Sequence, residues 1–183
     1  MTEQEIISGV LKANRAAQKA LFDQYAGRMM ALCNRYTTDR DQAQDFLQEG
    51  FIRVFKYIGQ FRQEGSFEGW MRRIFVSVIL RELSKQKMLF SDLELAVSQE
   101  PAIEPDAISR ISEAELQGMI RSMPPGYRTV FNLFVIEGYS HEEIADLLKI
   151  QPATSRVQLM KARKYLQAQL VKKNNQIVYG QVI

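Results

Sequence analysis

Few side chains in this sequence could make or break covalent bonds. The 183 residues include one histidine, His141, and one cysteine, Cys33. Cys33 lies in an apolar helical stripe, and His141 stands at a helix start beside two glutamates, where we expect it to be solvated. The sequence has no metal-ligand cluster, glycine-rich phosphate loop or paired acid dyad. It therefore predicts no catalytic residue, no metal site and no cofactor, and it disfavours an enzyme.

The sequence favours instead the binding of nucleic acid by cationic side chains. Residues 140–163 read SHEEIADLLKIQPATSRVQLMKAR; their acids stand before residue 147, and only bases follow. Both halves have helical spacing, and Pro152 lies between them. A helix fits the major groove of DNA, and two helices joined by a short turn form a helix-turn-helix. An ordinary helical hairpin with solvated charges is the alternative interpretation.

The apolar positions of these two helices predict how they pack. In the first helix, Ile144, Leu147 and Leu148 share one face. The inward arc of the second helix consists of Ser155, Leu159, Ala162 and Leu166. If these surfaces pack together, the opposite arc of the second helix faces solvent and becomes the candidate DNA contact. The residues predicted to bind DNA, on this arc and at its flanks, are Thr154, Arg156, Val157, Met160, Lys161, Arg163 and Lys164.

Different contacts are expected of these side chains. Arg156 and Lys161 could reach bases or phosphates, whereas Arg163 and Lys164 are expected to contact phosphates. Val157 and Met160 are apolar yet outward, which favours van der Waals contact with thymine methyls or sugar edges. The alternative is that these two pack on another domain in the free protein.

The rest of the sequence predicts an all-α fold, because apolar spacings of three and four recur and strand signals are nearly absent. Capping boxes are expected at Thr2 with Glu5, Ser112 with Glu115, and Ser140 with Glu143. Thr38 is expected to begin a third helix. Its inward stripe is Ala43, Leu47, Phe51, Val54, Ile58 and Phe61. A fourth helix, residues 67–87, is expected to turn Trp70, Ile74 and Val78 inward.

Charge divides the chain into three parts. Residues 88–112 contain five acids, one base and two prolines, whereas both flanking segments are net basic. We expect two small helical domains, residues 1–90 and 113–173, joined by a flexible acidic linker, 91–112, and followed by a loose tail, 174–183. No apolar stretch is long enough to span a membrane, the N-terminus does not fit a secretory signal, and a single cysteine fits a reducing compartment. A cytoplasmic location without membrane insertion is therefore expected.

A family resemblance is carried by residues 138–166, GYSHEEIADLLKIQPATSRVQLMKARKYL. This segment resembles the promoter-reading helix-turn-helix, region 4, of sigma-70 family RNA polymerase sigma factors, most of all the extracytoplasmic-function (ECF) type. Residues 21–61 and 65–83 are similar to the conserved region 2 of that family and to its promoter-opening part. Lys149 departs from the pattern because the family usually has glycine there. A left-handed backbone would cost lysine about 1 kcal/mol, whereas Pro152, early in its helix, is tolerated.

The resemblance implies an alternative sigma factor that binds core RNA polymerase and directs it to the −35 and −10 elements of promoters. Asp45, Gln48 and Glu49 would dock on a coiled coil of the polymerase clamp, although a solvated polar face is the alternative. The C-terminal domain would read the −35 element and meet the polymerase flap. An anti-sigma factor is also implied. The acidic linker would thread the RNA channel of the polymerase or serve as an ordinary spacer.

The resemblance also implies that the fourth helix faces the −10 element and assists promoter opening. The residues predicted on its outward side are Arg72, Arg73, Ser77, Leu80, Ser84 and Lys87. The cations could hold the phosphates of an unstacked strand, and Ser77, where the family often has asparagine, could bind a base. Loop residues 63–66 could also touch a flipped base. Phe67, Trp70 and Phe75 are expected in the core.

A stand-alone helix-turn-helix regulator of transcription is the alternative function. Such proteins usually dimerise to read two half-sites, and this sequence has no sustained heptad repeat that would indicate a dimer. A sigma factor instead gains affinity from the polymerase, which suits two modestly basic domains.

Overall fold

The structure, a computed structural model, describes residues 1–85 and 112–180, with the side chains of the last helix described to residue 173. Every regular element in these ranges is a helix, so the predicted all-α fold class is confirmed. The α-helices are α1 (Glu3–Leu11), α2 (Arg15–Tyr36), α3 (Arg40–Tyr57), α4 (Phe67–Lys85), α5 (Glu113–Arg121), α6 (Pro125–Phe131), α7 (His141–Leu148) and α8 (Pro152–Gly180). A 3₁₀ turn follows α3 (Ile58–Gln60), and a π-helical turn follows α6 (Asn132–Ile136). The chain divides after Lys85 into two compact units, here called the N-terminal and C-terminal units.

Side-chain caps begin most helices where the sequence predicts them. All three expected capping boxes are present, and each satisfies two backbone N–H groups that the helix itself leaves unpaired. The exception is α3, which is capped by Asp39 rather than Thr38. The Asp39 carboxylate accepts a hydrogen bond of 2.9 Å from the backbone N–H of Asp41. Its negative charge also suits the positive end of the helix dipole.

The core of the N-terminal unit lies between α2, α3 and α4, and α1 packs on α2. The buried residues of α3 are Ala43, Phe46, Gly50, Phe51 and Val54. The predicted stripe therefore differs at Leu47 and Phe61, which are half-exposed, whereas Phe46 is buried. Helical spacing gives the direction of a side chain but not whether a neighbouring element covers it.

Two packed neighbours, α2 and α3, cover most of α4. Its buried residues are Phe67, Met71, Phe75, Val76, Val78, Ile79, Leu80 and Leu83. The prediction that Phe67, Phe75 and Val78 point inward is confirmed, whereas Trp70 and Ile74 are only half-buried. Only a narrow side of α4 is therefore left for contact with another molecule.

In the C-terminal unit, α6 and α7 pack on α8. The buried residues of α8 include Ser155, Leu159 and Ala162, as predicted. On α7, Ile144 and Ala145 are buried, but Leu147 is 40% exposed. The buried side of α7 is centred between Ile144 and Ala145, and Leu147 lies beyond its edge because each residue advances about 100° around the helix.

A charged side chain, Arg128, is buried within α6. Its Nη1 donates a hydrogen bond of 2.6 Å to the carbonyl oxygen of Arg121, the last residue of α5. Burial lowers the pKa of the guanidinium, but arginine keeps its charge in proteins. The contact therefore places a cation at the negative C-terminus of α5 and ties α5 to α6.

The last helix is longer than the sequence predicts. Its backbone remains helical to Gly180, where a loose tail was expected from residue 174. Adding a residue to an existing helix fixes one residue and gains one hydrogen bond, so a polar segment without proline can extend it. Lys173 also pairs with Glu115 of α5. Of the predicted linker, only Ser112 lies within the described residues, and Lys87 lies outside them.

Candidate nucleic-acid interface

The first turns of α8 form an exposed surface that carries cations. Arg156, Val157, Met160 and Arg163 are exposed, as predicted, and the other three predicted residues are half-buried at its edges. This recognition surface comprises Thr154, Arg156, Val157, Met160, Lys161, Arg163 and Lys164. Its shape is that of a helix whose inner side is covered by α6 and α7, which suits insertion into a major groove.

Arg156 and Lys161 contact residues of other helices in the unit. Arg156 Nη2 lies 2.8 Å from Glu142 Oε1 on α7, and both side chains are more than half exposed, so this ion pair is weak. The guanidinium can therefore exchange Glu142 for a phosphate or a base. The ammonium of Lys161 lies 5.9 Å from the centre of the Tyr127 ring, a cation–π contact that draws it towards α6.

The turn between α7 and α8 has the left-handed residue that the family resemblance implies. Lys149 has φ 57° and ψ 45°, and its N–H donates to the carbonyl oxygen of Ala145. Ile150 N–H also donates to the Ala145 carbonyl, at 3.1 Å. Pro152 begins α8, where its missing N–H is not needed. A lysine thus occupies a conformation that glycine adopts without strain.

His141 is packed into the helix-turn-helix, contrary to the expectation that it is solvated. Its Nδ1 lies 2.9 Å from Ser155 Oγ on α8. Its ring stacks on Phe134 of the π-helical turn, with centroids 4.4 Å apart. Burial first, and then the nearby Arg156 and Arg163, lower the pKa of His141, although Glu142 opposes them. The imidazole is therefore held neutral near pH 7.

The exposed side of α3 carries the three residues predicted to bind polymerase. Asp45 and Gln48 are exposed, and Glu49 is half-exposed. Ile52 lies among them on the same side and is 53% exposed. These four residues, Asp45, Gln48, Glu49 and Ile52, form the outer face of α3, an acidic surface with an apolar centre.

Glu49 is partly neutralised by its neighbours. Its Oε1 accepts hydrogen bonds from Arg53 Nε at 2.8 Å and from Arg81 Nη2 at 3.2 Å. Arg81, on α4, also pairs with Glu82. Glu49 therefore holds α3 and α4 together as well as facing solvent, whereas Asp45 offers the more accessible negative charge.

The outward side of α4 differs from the predicted one at Leu80. Arg73, Ser77 and Ser84 are exposed and Arg72 is half-buried. Leu80 is only 5% exposed, because α4 lies between α2 and α3, so it does not belong to the outward side. Lys87 lies outside the described residues.

A pocket of about 290 Å³ opens at the start of α4. It is lined by Gln60, Phe61, Arg62, Glu64, Gly65, Ser66, Gly69, Trp70 and Arg73. The Trp70 ring stacks on the Phe67 ring with centroids 5.5 Å apart, and its centroid lies 5.6 Å from that of Phe61. Packed aromatic rings therefore form one side of the pocket. Ser66 Oγ accepts a hydrogen bond of 3.0 Å from Gly69 N–H, which holds the loop against the helix.

Metal binding, thiol reactivity and membrane spanning each require particular arrangements of side chains. Over residues 1–85 and 112–173, no cluster of three or more histidine, cysteine or acidic residues could hold a metal ion. Burial raises the pKa of Cys33 to about 12, so its thiol remains protonated and unreactive. No helix in the described part of the chain is long and apolar enough to cross a membrane.

Comparison with known families assigns both units. The Sigma-70 region 2 model matches residues 21–88, and the Sigma-70 region 4 model matches residues 113–166. Together these ranges cover more than half of the chain. The chain belongs to the sigma-70 family. Region 2 contains α3, α4 and the pocket, and region 4 contains the recognition surface.

Relatives of this sigma factor place it in the ECF group. It is 32% identical over 163 residues to the ECF RNA polymerase sigma factor SigE of Mycolicibacterium smegmatis, a match that covers 85% of this chain and 62% of that protein. It is 26% identical to the RNA polymerase sigma-H factor of Pseudomonas aeruginosa, over 88% of this chain and 90% of the relative. An alternative sigma factor of this family directs core RNA polymerase to promoter DNA.

Solved structures share the fold of this sigma factor. The sigma factor RpoE of Bartonella quintana, in complex with the anti-sigma factor NepR, matches with a TM-score of 0.52 and 18% identity, over 84% of this chain and 96% of that one. CnrH, in complex with the cytosolic domain of CnrY, matches with a TM-score of 0.50 and 18% identity, over 93% and 97% of the two chains.

Sequence reasoning missed two residues at the sites of this sigma factor. Ile52 could have been found because it lies three residues after Glu49 and four after Gln48, on the polar side of α3. His141 could have been found because it precedes Ile144 by three residues and Ala145 by four, and so lies on the buried side of α7. In both cases the helical spacing indicated the correct side of the helix. The residue type suggested the opposite side, because an isoleucine is usually buried and a histidine beside two glutamates is usually solvated.

Proposed function

We propose that this sigma factor reads the −35 element with the recognition surface of α8. The observation that carries this proposal is the exposed first half of α8, which bears Arg156 and Arg163 and no acid. Arg156 would exchange Glu142 for a guanine edge or a phosphate, because its fork of donors matches both. Val157 and Met160 would contact thymine methyls. Lys161 and Lys164, half-buried at the edges, would meet the phosphates that flank the groove.

The pocket at the start of α4 is proposed to receive a base flipped out of the −10 element. Opening a duplex requires a site for the unstacked base and cations for its phosphates. The Phe61 and Trp70 rings offer an aromatic wall, and Arg73 lies at the edge of the pocket. Arg72, Ser77 and Ser84 would continue this contact along α4. Trp70 is thus proposed as a base-contacting residue, in addition to its packing on Phe67.

The outer face of α3 is proposed to dock on the clamp coiled coil of core RNA polymerase. Asp45 and Gln48 would form hydrogen bonds with basic or polar partner groups, while the exposed Ile52 would be buried at the centre. Glu49 would bind only in part, because Arg53 and Arg81 already use one of its oxygens. The C-terminal unit is proposed to meet the polymerase flap as well.

Regulation by an anti-sigma factor is also proposed. The support is that a protein of related fold occurs in a complex with the anti-sigma factor NepR, and a second one in a complex with the cytosolic domain of CnrY. A cytoplasmic location and the absence of enzymatic activity follow from the same proposal, because the protein would act by binding the polymerase where the DNA is transcribed.

Transcription with purified components tests the proposed function. Arg156→Ala should lower initiation at a cognate promoter by about fivefold or more, since a bidentate base contact contributes about 1–3 kcal/mol. Arg121→Ala, which removes an exposed arginine from α5, is the matched control and should leave initiation unchanged. Wild-type initiation by the Arg156 variant would contradict the assignment of α8. A gel-shift assay with and without core polymerase separates this proposal from a stand-alone regulator, which would bind tightly without polymerase.

A further inference from the structure

A single imidazole joins three elements of the C-terminal unit. His141 is the first residue of α7, its Nδ1 reaches Ser155 Oγ on α8 at 2.9 Å, and its ring stacks on Phe134 of the π-helical turn. Ser155 is fully buried, so its hydroxyl cannot exchange this partner for bulk water. A buried hydroxyl without a hydrogen bond is costly, and this contact is therefore stronger than an exposed one.

The position of this contact matters because it lies where the supporting and recognition helices meet. Ser155 is the residue directly before Arg156, an exposed cation that contacts DNA in the proposed function. On the other side, Glu142, the residue directly after His141, is the partner of Arg156. Two successive residues of α7 thus hold two successive residues of α8. Loss of the His141 contact would therefore act on α8 next to Arg156.

We propose that His141, through its hydrogen bond to Ser155 and its stacking on Phe134, is the positioning residue that orients α8 for reading the −35 element. This inference rests on the proposed role of α8. In this inference His141 does not contact DNA itself. The bond requires a ring nitrogen held beside Ser155, and the Phe134 ring restricts the rotation of the imidazole that would move this nitrogen away.

The charges around His141 favour its neutral form. Arg156 and Arg163 face it from α8, Glu142 opposes them from α7, and the π-helical turn contributes the uncharged Phe134 ring. The imidazole also stands in the first turn of α7, where the helix dipole disfavours a cation. The unfolded pKa of histidine is about 6.5, and the folded pKa lies below it. The stabilisation of the neutral, positioned imidazole is therefore fully present above the unfolded pKa of about 6.5. It is lost as the pH falls through the lower, folded pKa of His141.

Two substitutions at His141 separate hydrogen bonding from packing. Asparagine can place its amide nitrogen near the position of Nδ1 but has no ring to stack, and phenylalanine keeps a ring but cannot hydrogen-bond. At pH 7.5, holoenzyme made with His141→Phe should initiate about two- to tenfold less at a promoter with an intact −35 element, the effect of one hydrogen bond. His141→Asn should recover most of this loss. Asp146→Asn, an exposed change on the same helix, is the matched control.

Substitution of Ser155 and the pH dependence of initiation give two independent tests of the role of His141. Ser155→Ala should reduce initiation about as much as His141→Phe, and the double variant should be no worse than either single one, because both changes remove the same bond. As the pH falls from 7.5 to below the unfolded histidine pKa of about 6.5, wild-type initiation should decrease more steeply than that of His141→Asn, which cannot titrate. If His141→Phe does not fold, the Ser155 variant and the pH comparison still test the proposal.

Several results would overturn the role of His141. They are wild-type initiation by His141→Phe, an asparagine variant as weak as the phenylalanine variant, fully additive effects of His141→Phe and Ser155→Ala, and identical pH profiles of the wild-type and asparagine proteins. Failure of the proposed function itself would look different. In that case the wild-type holoenzyme would not depend on a −35 element, and Arg156→Ala would have no effect.

Discussion

At the scale of single residues, the left-handed lysine of the helix-turn-helix is a defined source of strain. Lys149→Gly relieves a left-handed conformation that costs an ordinary residue about 1–2 kcal/mol. The added freedom of glycine in the unfolded chain offsets about 0.4–1 kcal/mol of that gain. We expect a net stabilisation of at most about 1.6 kcal/mol, measured as greater hydrogen-exchange protection of α7 and α8.

Lys149→Val is the opposing variant. A branched Cβ is strongly disfavoured at positive φ, so we expect the protection of α7 and α8 to fall. Equal protection in the glycine and valine variants would mean that the turn does not hold Lys149 at φ 57° in solution.

At the scale of helices, the contact between α3 and α4 depends on a residue without a side chain. A Cβ at Gly50 would overlap the Phe75 ring, which itself packs edge-on against Phe51 with centroids 5.4 Å apart. Gly50→Ala should therefore destabilise the N-terminal unit by about 1–3 kcal/mol, the usual result of overpacking. Urea denaturation followed by the fluorescence of Trp70, the only tryptophan in the sequence, measures this change.

Gly27 provides the matched control for Gly50. It also lies within a helix, α2, but nothing stands within 4 Å of the position that a Cβ would occupy there. Gly27→Ala should stabilise the same unit by about 0.5–1 kcal/mol, because alanine loses less backbone freedom on folding. If both alanine variants were more stable than the wild type, the close approach of α3 and α4 would be incorrect.

At the scale of the whole molecule, the proposed contact with the polymerase clamp and the proposed reading of the −35 element lie in different units and should be separable. Ile52→Glu places a charge at the centre of the outer face of α3, so its burial against a partner would be strongly unfavourable. Association of the full chain with core polymerase should weaken at least about tenfold in a pull-down or anisotropy titration.

The control for Ile52 is another exposed apolar residue of the N-terminal unit. Leu11 on α1 is 56% exposed, close to the 53% of Ile52. Leu11→Glu should leave polymerase binding unchanged. Equal weakening by both changes would point to a general loss of folding, and no weakening by Ile52→Glu would exclude the outer face of α3 as the contact.

Much of the fold and part of the candidate site were predictable from local patterns. Capping boxes act over four residues, so Ser140 and Glu143 could be paired from sequence alone. The outward direction of Val157 and Met160 followed from their spacing relative to Ser155, Leu159 and Ala162. The predictions at Leu80 and Leu147 were wrong because each depends on which other helices cover that side of its own helix.

The sequence by itself determined the helices, their caps, the distribution of charge and the family. Each of these depends on residues that are close along the chain or on motifs in a fixed order. Only the tertiary structure decided that α4 is covered from two sides, that Trp70 lines a pocket, and that His141 bonds to Ser155. These features arise from residues distant in sequence, whose contacts are set by the packing of whole helices rather than by the spacing within one.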